Sequence, residues 1–174
     1  MDRTEKQKKI LDFLCDTFNE NDMQSVIDTV KAMDKEIDIL RVDYRGTIGD
    51  GNQTLAEFYF MDTELSSEDA MYLNGIITLK TNVEADHYKK LADGIILINS
   101  ALPFGSYVLN FDNGILMFRL DAILPTEADI DILLRAAELN AVHLLEMSDR
   151  YSDVVVDLCE DRLSLEEYRE VLNI

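Results

Sequence analysis

Two cysteines, two histidines and two prolines are all that this 174-residue chain holds of those types. Each scarcity excludes a class of explanation. Cys15 and Cys159 lie far apart and no C-x-x-C occurs, so neither a zinc site nor a redox motif is indicated. His87 and His143 belong to no H-E-x-x-H arrangement, and two isolated histidines make a weak metal site, so no metal and no cofactor are expected. With two prolines and seven glycines, no stretch reads as a flexible or proline-rich linker. No repeat or low-complexity segment is visible.

Long apolar runs are missing as well. None approaches the roughly 20 residues that a membrane span requires. The start, MDRTEKQKKILDFLC, lacks the apolar stretch and small-residue cleavage site of a signal peptide, which makes the cytoplasm the expected compartment. The sequon at Asn52-Gln53-Thr54 then reads as chance. Basic residues are few: 16 Lys and Arg stand against 35 Asp and Glu, for a net charge of −19. Such a field repels phosphate, so neither nucleic acid nor an anionic membrane surface is an expected partner. The cluster Arg3, Lys6, Lys8 and Lys9 reads as a solvated helix face.

What is present is a chain that is 47% hydrophobic, enough for a sizeable core in one domain over 1–174. Ile10, Leu11, Leu14 and Phe18 share one helix face. Met23, Val26, Ile27, Val30 and Met33 repeat at three and four, so 1–33 reads as a helical N-terminal region. The pattern then becomes β-rich at Glu36–Arg45, Leu55–Met61 and Met71–Thr81. GTIGDGNQ (46–53) joins the first two as a connection. Tyr88, Leu91, Ala92, Ile95 and Ile96 form a second helical stripe. After Pro125, Thr126 with Asp129 resembles a capping box opening a long helix. Ser164 with Glu167 opens a short one, within a C-terminal helical extension over 152–174. The expected fold is α+β: an antiparallel sheet with helices packed on it, in the order α(α)-βββ-α-ββ-α(α).

The stretch YVLNFDNGILMFRL (107–120) reads as a hairpin turning at Asn113-Gly114. A two-residue turn pairs Asp112 with Ile115. Phe111 then faces Leu116, Leu109 faces Phe118 and Tyr107 faces Leu120, six core side chains on one face. The reverse face pairs Asn110 with Met117, Val108 with Arg119 and Ser106 with Asp121. Apolar Val108, Ile115, Met117 and Ile123 on that side imply at least partial cover by the chain's own helices, a dimer mate or a bound peptide.

Catalytic patterns are sparse. Neither phosphate loop motif occurs, and no G-x-S-x-G elbow does. GTIGDGNQ fails as a calcium loop: counted from Asp50, position 6 is Leu55 and position 12 is Met61; counted from Asp43, position 6 is Ile48. Asp129 with Asp131, Asp157 with Glu160 and Asp161, and Glu166 with Glu167 read as solvated helix faces and not as catalytic pairs. No catalytic residues are nominated and an enzyme is not expected.

The element order, and the segment FDNGILMFRLDAILPTEADIDILLRAAELNAVHLLEMSDRY, resemble the YbjN-like family and its class I type III secretion chaperone-like fold. The resemblance spans roughly Ile10–Tyr151. It implies a binding protein without catalytic residues, a homodimer, and an extended client held on apolar patches. The expected function is therefore a non-catalytic, chaperone-like or regulatory protein-interaction module that binds a client or partner protein. Val108, Ile115, Met117 and Ile123, with residues of the final helix, are its candidate partner-binding residues. One alternative is a small-molecule sensor, or an enzyme with an uncommon site around His143, Glu146 or Tyr151. Another is a structural subunit of a larger complex.

Overall fold

The computed structural model describes residues 1–32, 35–44, 54–61 and 67–173, without the side chains of residues 32 and 54. GTIGDGNQ (46–53), and with it the sequon's Asn52 and Gln53, lies outside the described residues, as do Met33 and residues 62–66.

Helices α1 (Arg3–Glu20), α2 (Tyr88–Ala101), α3 (Ile130–Cys159) and α4 (Leu165–Leu172) accompany a six-stranded antiparallel sheet. Its strands are β1 (Ser25–Ala32), β2 (Lys35–Tyr44), β3 (Thr54–Phe60), β4 (Ala70–Lys80), β5 (Ser106–Asn110) and β6 (Ile115–Pro125). They lie in the order β1-β2-β3-β4-β6-β5, so β1 and β5 are the two edges. This is the expected α+β class.

The chain divides into two compact units. Among the described residues, the first comprises 1–32, 35–44, 55–61, 67–76 and 120–142; the second comprises 54, 77–119 and 143–173.

In the first unit, Asp2 caps α1: its side chain accepts from Glu5 N–H while Glu5 reaches back to Asp2 N–H. The predicted face, Ile10, Leu11, Leu14 and Phe18, is buried, and Phe18 stacks on Phe58 of β3. Lys6 is no solvated lysine: its Nζ donates to the Thr126 carbonyl at 2.7 Å and to the Ala128 carbonyl at 2.9 Å. The helix ends where Asp22 takes a left-handed conformation (φ 60) and Met23 N–H returns to the Phe18 carbonyl. The chain then reverses into a strand. This corrects the helical reading of 1–33: Val26, Ile27, Thr29 and Val30 are β-branched, and they pair with β2 from Ser25↔Val42 to Ala32↔Lys35.

Thr126 does not open α3. Its N–H and Oγ1 bond the carbonyls of Asp69 and Glu68, and the helix begins four residues later at Ile130. Residues 152–159 and 165–172 are helical, the first group as the end of α3. Helix α3 runs unbroken to Cys159 because the apolar stripe Leu144, Val155, Leu158 carries through without a breaker. The break comes at 160–164, where Asp161 is left-handed (φ 59) and Ser164 with Glu167 forms the expected capping box of α4.

In the second unit, the hairpin register differs from the expected one by two residues. Tyr107 pairs with Phe118, Leu109 with Leu116, Val108 with Met117 and Asn110 with Ile115. A type I′ turn needs positive φ at both Asn113 and Gly114, and only Gly114 has it (φ 65). The loop therefore has four residues, 111–114, closed by Gly114 N–H to the Asn110 carbonyl at 2.8 Å. A shift of two preserves the faces, so Tyr107, Leu109, Leu116 and Phe118 are core. Phe111 is not: it sits in the loop, 59% exposed, with its ring edge-on to Tyr88. In α2 the buried residues are Leu91, Gly94 and Ile98, while Ile96 of the expected stripe points outward. Gly94 is a close approach. A Cβ there would stand 2.1 Å from Leu158 Cδ2, with Tyr168 of α4 also alongside.

Candidate functional site

Of the four residues singled out from the sequence, three come together. Val108 and Met117 are cross-strand partners, Ile115 lies two residues along, and all three are half-buried on one face of β5–β6. Ile123 belongs to the first unit and is 70% exposed.

A second surface escaped the sequence reading. It is edge strand β1, in the first unit. Asp43 N–H bonds the Gln24 carbonyl, which sets the phase of the ladder. Even-numbered residues of β1 turn their backbone groups toward β2, and odd-numbered residues turn theirs outward. Ser25 is the first outward residue. Asn19 fills it: its Oδ1 accepts from Ser25 N–H at 3.0 Å and its Nδ2 donates to the Ser25 carbonyl at 3.3 Å. Cys15 packs alongside, with Sγ 3.4 Å from Ser25 Oγ. Beyond Ser25, among the described residues, no group bonds the outward N–H or carbonyl of Ile27 or Thr29.

Edge β5 in the second unit offers less: its outward residues in the same phase are Tyr107 and Leu109, and Tyr107 is filled. Only five residues long, it lies along α2. Asn99 of α2 donates to the Tyr107 carbonyl at 2.9 Å and accepts from Tyr107 N–H at 2.8 Å. Short length protects a sheet edge, and β1 lacks it; α1 lies along β1 as α2 lies along β5, but among the described residues it bonds the outward backbone at Ser25 and not at Ile27 or Thr29.

Beside the open edge the sheet surface mixes charge and apolar area. Arg41 on β2 joins Asp28 Oδ2 at 2.7 Å and Glu57 Oε1 at 3.1 Å. The hydrogen bond to Glu57, then that to Asp28, raises the pKa of the guanidinium. Val26 is 53% and Leu55 37% exposed. With Gln24, Ser25, Arg41 and Asp43 they line a shallow cleft of about 350 Å³. A second groove, of about 240 Å³, runs under α1 between Leu11 and the Ile37 and Phe60 side chains. This surface was hidden because the spacing of Val26, Ile27 and Val30 fits a helix as well as a strand. The β-branched run was the available signal.

Tyr107 Oη lies 3.2 Å from Ser152 Oγ, which lies 2.9 Å from Ser148 Oγ, all buried. Burial pushes the Tyr107 phenol well above its ordinary range, and burial pushes the Cys159 thiol up as well. His143 stacks on Phe104 with its Nδ1 3.7 Å from Glu146. Both side chains are open to solvent, and Tyr151 lies under the Arg150 guanidinium. His87 Nδ1 and Lys90 Nζ grip the two oxygens of Asp161 at 3.2 and 2.7 Å. Among the described residues, no group of three His, Cys, Asp or Glu could hold a metal ion. No helix among them is long and apolar enough to cross a membrane.

No family model matches the chain, and no curated protein matches it.

Proposed function

We propose that the protein is a non-catalytic protein-interaction module that takes up an extended segment of a partner. One observation carries this reading: β1 is an eight-residue edge strand whose outward backbone groups at Ile27 and Thr29 are unengaged among the described residues, whereas edge β5 has five residues and Asn99 fills Tyr107. An extended chain bound there gains main-chain hydrogen bonds for affinity and side-chain clefts for specificity. The resemblance to the YbjN-like family and to secretion chaperones points the same way, toward a client held extended. The half-buried face of Val108, Ile115 and Met117 is the second candidate surface. Methionine adapts to varied partners, which suits a surface that accepts more than one sequence.

The test is a selection from a library of random 12-residue peptides displayed on phage. Enrichment of extended, proline-poor sequences that also bind as free synthetic peptides is the expected result. Repeated selections that enrich nothing would remove the reading. Discovery of catalytic turnover on any small molecule would replace it with the sensor or enzyme alternative.

A further inference from the structure

Resting on that reading of the open edge, we infer its register and the chemistry of its occupant: an extended protein segment carrying lysine or arginine at alternate positions, paired with Ile27 and Thr29 of β1. The register follows from Asn19. Its amide gives Ser25 one donor and one acceptor, as a residue of a neighbouring strand would. Asn19 thus occupies the first rung, and an added strand starts at the second. Ile27 and Thr29 are the next outward residues, and Lys31 follows them in phase. At about 3.3 Å per residue, this edge accommodates roughly five residues of partner.

The charge follows from the flank of α1 that overlooks this edge. Cys15 and Asn19 define the flank by their bonds to Ser25. Helical spacing of three and four places Asp12 on the same flank, with Lys8 one turn before it and Asp16 one position further around. Asp12, Asp16, Glu20 and Asp22 are exposed, and among the described residues no cation pairs with them. Side chains on one face of an added strand repeat every two residues and lie beneath that flank. Basic groups at alternate positions meet carboxylates there. A second copy of the chain is the weaker candidate, because it brings its own −19 against the first.

The probe is a six-residue peptide of alternating lysine and valine, end-blocked and fluorescently labelled, with a glutamate–valine peptide as its counterpart. Binding to the full chain is read by fluorescence anisotropy at low salt. The lysine peptide should bind at least tenfold tighter than the glutamate peptide, and salt should weaken it. Thr29→Pro removes an outward N–H together with the hydroxyl that donates to Asp38 at 2.7 Å, and Thr29→Val removes the hydroxyl alone, so the first should weaken binding at least tenfold while the second retains it. If Thr29→Pro fails to fold, the lysine peptide N-methylated on alternate residues must lose binding to the native chain instead. Amide exchange at Ile27 and Thr29 should slow in the complex. Preference for the glutamate peptide, or equal binding to a folded Thr29→Pro chain, would overturn the inference. So would a dimer in sedimentation equilibrium that Thr29→Pro dissociates, because the occupant would then be a second copy. Library peptides that bind Thr29→Pro as well as the native chain would sink this inference and leave the broader reading standing. A library that yields no binder sinks both.

Discussion

The side-chain amide of Asn99 makes both hydrogen bonds that a neighbouring strand would make to Tyr107, at 2.9 and 2.8 Å. Asn19 does the same for Ser25 at the opposite end of the strand order. The two sites differ in burial, and their substitution should therefore differ in cost. Asn99→Ala leaves two part-buried backbone groups unpaired, which costs about 1–3 kcal/mol. Asn19→Ala exposes its groups to water and should cost under about 1 kcal/mol. Urea unfolding measures both, and equal losses would contradict this account.

Two buried tyrosines, Tyr107 and Tyr168, predict opposite results for the same change. Tyr107 Oη has Ser152 as a partner, so Tyr107→Phe should destabilise by about 1 kcal/mol. Tyr168 Oη is buried with no partner among the described residues, so Tyr168→Phe should be neutral or stabilising. Burial raises both phenol pKa values above the unfolded value. Their contribution is therefore intact below about pH 10 and is lost as the pH rises past it. Absorbance of phenolate during alkaline titration should show Tyr107 and Tyr168 ionising only with unfolding.

Gly94→Ala sets two effects against each other. Alanine favours a helix interior by about 1 kcal/mol over glycine. The added Cβ would stand 2.1 Å from Leu158 Cδ2, and Leu158 is fully buried and hemmed in. Overpacking of about 1–3 kcal/mol should win. A lower melting temperature, partly restored by Leu158→Val, is the expected pair of results.

At Gly114 both conformation and space exclude a side chain. The residue has φ 65, and a Cβ would lie 2.8 Å from the Val83 carbonyl oxygen, beside the bond from Val83 N–H to the Gly114 carbonyl. Asparagine tolerates positive φ, so a purely conformational requirement would let Gly114→Asn outperform Gly114→Ala. Because the clash is with backbone, both variants should lose stability to a similar extent in thermal melts.

Acid should weaken the second unit through Glu160. The hydrogen bond from Lys80 holds its carboxyl below the usual range, aided by the charges of Lys80 and Arg162. A depressed folded pKa contributes stability above the unfolded value of about 4.3, and that stability is lost as the pH falls through the folded value. Lys80→Met should therefore lower the urea midpoint at pH 6 and shrink the difference between pH 6 and pH 3. An unchanged difference would assign the acid limb elsewhere.

The fold class, three of the sheet's strands and the core face of α1 could be read from periodicity, because burial imposes it directly. The hairpin faces were legible for the same reason: a register error of two leaves Leu109 and Phe118 inward. What failed were readings that depend on tertiary partners. Asn113-Gly114 reads as a two-residue turn until Val83 is seen to bind Gly114. Thr126 reads as a helix cap until Asp69 and Glu68 take its N–H and hydroxyl. The open edge at Ile27 and Thr29 was invisible because strand order is a property of the whole sheet, and no local residue pattern states which strand lies outermost.

The charge of the chain acquires a further meaning from that edge. An eight-residue edge strand with unengaged outward groups at Ile27 and Thr29 would, on a neutral protein, be a seed for chains zipping onto one another. At −19, two molecules repel before their edges meet. That protection has a finite reach, about 10 Å at 0.1 M salt and about 3 Å at 1 M. Ionic strength thus becomes a handling variable: concentrated stocks should stay clear in dilute buffer and turn turbid in strong salt.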